Sequence, residues 1–127
     1  MRLSCITEDA QIEMWSDENY DSDYDPWVAA DQAEKCAALS GIRISRNKNL
    51  TFLALNDRQE VVGATWGAVV QDSDMDGDFY DFDVAVHPDH RNAAIGIKLI
   101  EANISYARQE DVVGILSHVV NPKLVRV

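Results

Sequence analysis

Between Leu50 and Val86 the sequence holds three β-patterned runs, LTFLAL, EVVGATWGAVV and DFYDFDVAV, separated only by turn chemistry at Asn56-Asp57 and by an acidic Asp-Gly segment. Short turns leave consecutive strands antiparallel neighbours, so this stretch predicts the centre of a sheet. The next run, Asn92 to Gln109, is helical in period: Lys98, Glu101, Ser105 and Arg108 form one narrow polar stripe. Ile95, Leu99, Ala102 and Tyr106 make one apolar line and Ile97, Ile100, Ile104 and Ala107 another, so the helix needs cover over most of its circumference. A sheet face supplies that cover. VVGILSHVV, Val112 to Val120, reads as a further strand buried on both faces.

Upstream, Asp25-Pro26 opens a helix with small residues Ala29, Ala33, Cys36 and Ala37 on one face, and Gly41 ends it. Arg2 to Ile6 reads as a short strand, and Thr7 with Ile12 and Trp15 as a capped helix start. The acidic stretch Ser16 to Asp25 reads as a solvated loop. The expectation is a single domain over residues 1–127 of α/β class, with a mixed, mostly antiparallel central sheet flanked by helices.

Net charge limits the partners. With 22 acidic against 11 basic residues, a net charge of -11 and a pI near 4.4, the chain lacks the cationic surface that phosphate neutralisation requires, and no nucleic acid is expected. A cationic partner or substrate fits better. The opening residues lack a signal-peptide pattern and no apolar run reaches membrane-spanning length, so neither a membrane partner nor export is expected, and a cytoplasmic location is. Cys5 and Cys36 lack metal-ligand spacing and read as small buried apolar residues.

The chemistry concentrates in DVAVHPDHRNAAIGIKLIEA, Asp83 to Ala102, where a strand ends in a proline turn and a helix opens on small residues. The free N–H groups and positive dipole end of such a helix favour an anion, the small residues Ala93, Ala94 and Gly96 let it approach closely, and Arg91 adds a formal charge. Arg91-x-x-Ala94-x-Gly96 resembles the Q/R-x-x-G-x-G/A signature of GNAT acetyltransferases, and Val84-Ala85-Val86-His87-Pro88 is similar to the V-x-V-x-P strand end before it. Ala94 departs from that pattern, standing where the family usually has glycine; Asn92 replaces another common glycine. RLSCITEDA and QEVVGATWG agree with the family's first strand and central strand pair in order and pattern.

The resemblance implies an N-acetyltransferase (acyltransferase) using acetyl-CoA as co-substrate and an amine as acceptor, with no metal. It implies that the coenzyme's diphosphate lies over Asn92, Ala93, Ala94, Ile95, Gly96 and Ile97 with Arg91 beside it. The pantetheine arm then runs along Val84, Ala85 and Val86, near the Asn121 turn, where this strand splays from the one through Leu116 and Ser117. A backbone N–H at Val84 or Val86 would polarise the thioester carbonyl. The amine must lose a proton, and Asp81 and Asp83, which share one strand face, are the candidate acceptors. Tyr80 and Tyr106 are the candidates to protonate the departing thiolate. The family continues past this point with a further helix and closing strands, so a chain ending at Val127 exposes the edge at Val112 to Val120 to a second copy or a partner chain.

Two other readings compete. DSDMDGDFYDFD, Asp72 to Asp83, resembles a calcium loop in which Asp72, Asp74, Asp76, a carbonyl at Asp78 and Asp83 are ligands and Gly77 makes the turn; strand flanks and Asp at the closing position weigh against it. The other keeps the fold without chemistry, as an acidic interaction module. His87-x-x-His90 has no third metal ligand near it and reads as a turn.

Overall fold

The computed structural model describes residues 10–16, 26–45, 47–71, 77–91 and 94–117. Five strands form one sheet in chain order: β1 (Gln11–Met14), β2 (Asn49–Leu55), β3 (Val61–Gln71), β4 (Asp78–Val86) and β5 (Gly114–Ser117). The first three pairings are antiparallel; β4 with β5 is parallel, because helix α2 (Ile95–Gln109) carries the chain back between them. Helix α1 (Pro26–Leu39) lies on the opposite face of the sheet from α2.

Alternation along the strands decides which residues meet which helix. Leu53, Leu55, Val61, Ala64, Trp66 and Ala85 pack with Ala29, Ala33, Cys36 and Ala37 of α1. Phe52, Ala54, Val62, Val84 and Val86 pack with Ile95 and Leu99 of α2. The small face of α1 lets that helix sit low on the sheet. Its end is a paired turn about Gly41 (φ +71), with Gly41 N–H donating to Ala38 O and Ile42 N–H to Ala37 O. On the other face Gly63 seats α2: a Cβ there would lie 2.9 Å from Leu99 Cδ1 and 3.1 Å from Ile95 Cγ2.

Several expectations change. Gln11–Met14 is strand, not helix, with Ile12 packed toward α2 and Trp15 toward α1, so two residues read as one helical face lie on opposite faces of a sheet. The Trp15 N–H extends that ladder to Thr51 O at 2.8 Å. Strand β5 is not buried on both faces over its described part, since Ile115 is exposed, as is Val113 just before it. Helix α2 is less enclosed than its apolar lines imply: Ile97 is exposed, while the polar Asn103 is fully buried. The Arg2–Ile6 strand and most of the Ser16–Asp25 loop fall outside the described residues. Among those described, no helix is long and apolar enough to cross a membrane.

Asn103 ties α2 to the sheet. It accepts from the Tyr80 hydroxyl at 2.7 Å and donates to Thr65 Oγ1 at 3.0 Å and Leu99 O at 2.7 Å; Thr65 Oγ1 in turn meets Thr51 Oγ1 at 2.8 Å. Gly67 leaves the space the Tyr80 hydroxyl fills. We predict that Asn103→Ala, which strands the Tyr80 and Thr65 hydroxyls in the core, lowers stability by about 2 kcal/mol in urea unfolding.

Candidate active site

Strand β4 has two edges and two faces, and each does something different. Its pairing with β3 runs from Asp78 to Val86 without a break. His87 N–H donates to Val62 O at 2.8 Å, which fixes the parity of the ladder: odd-numbered residues of β4 turn their N–H and C=O toward β3. Even-numbered residues turn theirs the other way, as Asp78 O does in accepting from Val113 N–H at 2.8 Å. The described part of β5 meets β4 from Phe79 to Phe82. Beyond Phe82 no described strand pairs with that edge, and by the parity above the N–H groups of Val84 and Val86 point toward it. The carbonyl of Val86 is held by Ser40 Oγ at 2.8 Å, from the end of α1.

The open edge runs directly into a helix start. After Val86 the chain turns through His87, whose Nδ1 accepts from Asp89 N–H at 3.2 Å, and through a 3-10 turn at Pro88–His90. Arg91 follows, exposed. Ala94 then takes a left-handed conformation, φ 57 and ψ 18, and α2 begins at Ile95. Ala94 carries no capping side chain, and Lys98 N–H donates to Ala94 O, so the amides of Ile95, Gly96 and Ile97 have no partner within the helix. A Cβ on Gly96 would make only ordinary contact, 3.5 Å from Val86 Cγ2. Asn92, Ala93 and Asn121 lie outside the described residues.

The faces of β4 separate the remaining groups. Asp81 and Asp83 project toward the α1 side, where both meet one ammonium: Lys48 Nζ lies 3.1 Å from Asp81 Oδ1 and 3.0 Å from Asp83 Oδ2. Side-chain exposures of 6%, 17% and 13% for Lys48, Asp81 and Asp83 make this a largely desolvated cluster carrying one net negative charge. Only the Asp83 contact has hydrogen-bond alignment; Asp81 Oδ1 is enclosed and receives no aligned donor, so its pairing is by charge alone. Lys48 also lines a cavity of about 660 Å³ beside α1, with Trp15, Trp66, Leu50, Ile44 and Glu34 among its walls.

The sequence matches the model of the GNAT acetyltransferase family over residues 6–126. The chain belongs to that family. No curated protein matches it. Among solved structures, an aminoglycoside acetyltransferase from an uncultured soil metagenomic sample shares the fold at a TM-score of 0.67 and 14% identity, over 98% of this chain and 85% of that one. A GNAT family acetyltransferase of Staphylococcus aureus does so at 0.66 and 9%, over 88% and 87%. Glucosamine-6-phosphate N-acetyltransferase of Arabidopsis thaliana does so at 0.61 and 8%, over 93% and 87%. These likenesses establish the α/β architecture, a mixed five-stranded sheet between two helices, and membership of this GNAT family supports acetyl transfer as the general chemistry.

Within this GNAT domain the structure brings Asp81 and Asp83 together but sets Tyr80 apart. The Tyr80 hydroxyl is buried against α2, on the other face of β4, where desolvation raises its pKa and the Thr51 hydroxyl partly offsets the rise. Tyr106 packs against Tyr80 and Phe52 on that face too, its pKa raised by burial and then by Glu110. Of the calcium-loop candidates, Asp72 to Asp76 lie outside the described residues, Asp78 pairs opposite Gln71 in the β3–β4 ladder, and Asp83 is committed to Lys48. Cys36 is buried, its thiol 3.6 Å from Val61 O and its pKa pushed up to about 11 by burial, which keeps it protonated.

Sequence reasoning missed Lys48 and Ser40. Lys48 follows a tight turn in which its N–H donates to Ser45 O at 3.1 Å, inside a polar segment with the composition of a solvated loop. Ser40 sits one residue before the helix-ending glycine and has no local signal at all.

The left-handed Ala94 gives the family's usual glycine a physical reason. We predict that Ala94→Gly raises stability by up to about 1 kcal/mol, because glycine escapes the left-handed penalty while losing some chain entropy. The check is a denaturation midpoint at unchanged m-value; a loss would contradict the backbone assignment.

Proposed function

We propose that this GNAT domain moves an acetyl group from acetyl-CoA to an amine, with Val84 to Val86 holding the pantetheine arm and Arg91 to Ile97 the diphosphate. The observation that supports this reading is that, among the described residues, neither the β4 edge beyond Phe82 nor the first turn of α2 has a partner for its N–H groups. An extended amide-bearing chain can bond such an edge as a strand would, and a diphosphate suits the N–H groups of a helix start. The coenzyme supplies an activated thioester when bound.

What the protein adds is alignment, polarisation and proton removal. The N–H of Val84 points from the edge toward the place where the thioester oxygen would gain charge, and stabilises it there without reorganisation. Asp83, the preceding residue, presents its carboxylate on the α1 side and accepts the proton of the incoming amine directly or through a water. Asp81 shares its counter-ion, and their combined charge, with the overall -11, draws a cationic acceptor toward the cavity beside Trp15 and Trp66. Tyr80 is assigned a structural role, since its hydroxyl is already bound by Asn103.

Calorimetric titration with acetyl-CoA tests the reading. Binding is expected for the wild type, weakened about tenfold or more in Arg91→Glu, equivalent to at least about 1.4 kcal/mol. Absence of heat in both proteins would contradict it.

A further inference from the structure

We infer that Lys48 is itself an acetyl acceptor, so that the chain carries an acetylation site within its own reaction centre. The inference rests on the acetyl-CoA reading and adds a specific nucleophile to it. Three observations meet at this side chain. Its nitrogen lies 3.0 Å from Oδ2 of Asp83, the carboxylate proposed above to take an amine's proton, and 3.1 Å from Asp81 Oδ1. Its partner Asp83 immediately precedes Val84, the first residue beyond the described β4–β5 pairing whose N–H turns to that edge. Lys48 is nearly sealed from bulk solvent yet lines the cavity beside α1. An amine so placed has few competitors, because solvent-borne acceptors must reach the same carboxylate past it.

The step balances with acetyl-CoA as the only co-reactant. Asp83 takes one proton from the Lys48 ammonium, and the neutral amine attacks the thioester carbonyl carbon. The C–N bond forms, the C–S bond breaks, and its electron pair leaves on sulfur. Of the two protons the nitrogen gives up, one passes through Asp83 to the departing thiolate and the other goes to solvent. The products are an acetylated Lys48 and free coenzyme thiol. The amide no longer carries the charge that paired both carboxylates, so acetylation leaves Asp81 and Asp83 exposed to each other and free to take a cationic amine from the cavity.

Burial makes the test selective. Lys35 is exposed and Lys98 half-buried, so a reagent acting from solution acetylates these before Lys48. The full chain is incubated with isotopically labelled acetyl-CoA and no added amine, and each lysine is read by peptide mass mapping. Coenzyme binding is measured in parallel by calorimetry. The expected result is one acetyl group per chain on Lys48, at a rate independent of protein concentration, with Lys35 and Lys98 unlabelled. Asp83→Asn should slow the labelling about a hundredfold, the scale of a lost general base. Lys48→Arg, which keeps a cation for both carboxylates, should bind the coenzyme and take no label. As a readout apart from turnover, the acetylated wild type should melt below the unmodified protein. Coenzyme binding with Lys48 unlabelled, or with Lys35 labelled at the same rate, overturns the inference and leaves the acetyltransferase reading standing. Absence of coenzyme binding removes both.

Discussion

Strand β4 has a partner on each edge, and the proposed function turns on the part of the second edge, beyond Phe82, that no described residue pairs. On one side β3 accompanies it to Val86. On the other, the described part of β5 pairs with it from Phe79 to Phe82. Unpaired backbone N–H groups inside a fold are costly unless something meets them. Val84 and Val86 are half-buried, their N–H groups have no partner among the described residues, and α2 begins soon after at Ile95 with no capping side chain on Ala94. One carbonyl of that edge, at Val86, is met from within by Ser40. The N–H groups are the ones we propose that the coenzyme meets.

The two faces of β4 divide the labour. On the α2 face, Tyr80, Thr65, Thr51 and Asn103 close a polar network in which the donors and acceptors find one another, so this side fixes the helix whose first turn matters. On the α1 face, two carboxylates share one ammonium and one buried oxygen has no aligned donor. A satisfied network rigidifies, whereas an under-compensated charge cluster beside a cavity invites a second cation. Asp83 and Lys48 are therefore the pair we propose as chemically active, while Tyr80, one residue from Asp81, has its hydroxyl bound to Asn103 on the other face.

Much of this was legible in the residues. The alternation of DFYDFDVAV marked β4 from Asp78 to Val86 at both ends, and Gly41 marked the end of α1 because only a left-handed residue closes that turn. The strand-to-helix passage at Val86 to Gly96 was visible because small residues there have a steric meaning that composition carries. What stayed hidden depends on contacts distant in sequence. Lys48 meets Asp83 across 35 positions, and Ser40 meets Val86 across 46, with no periodicity to announce either. The burial of Asn103 follows from partners on two strands, so its own helix pattern cannot reveal it. Strand β1 failed for another reason: four residues are too few to separate a period of two from a helical one, and Ile12 with Trp15 satisfied the wrong template.

The released edge of β4 can be measured directly by amide hydrogen exchange in the protein without ligand. If the account is right, protection alternates along the end of the strand: Asp83, Ala85 and His87, bonded to β3, exchange slowly, while Val84 and Val86 exchange much faster, and addition of coenzyme A slows these two. Uniform protection of all five amides would mean that the edge is already paired, and would contradict the account at its base.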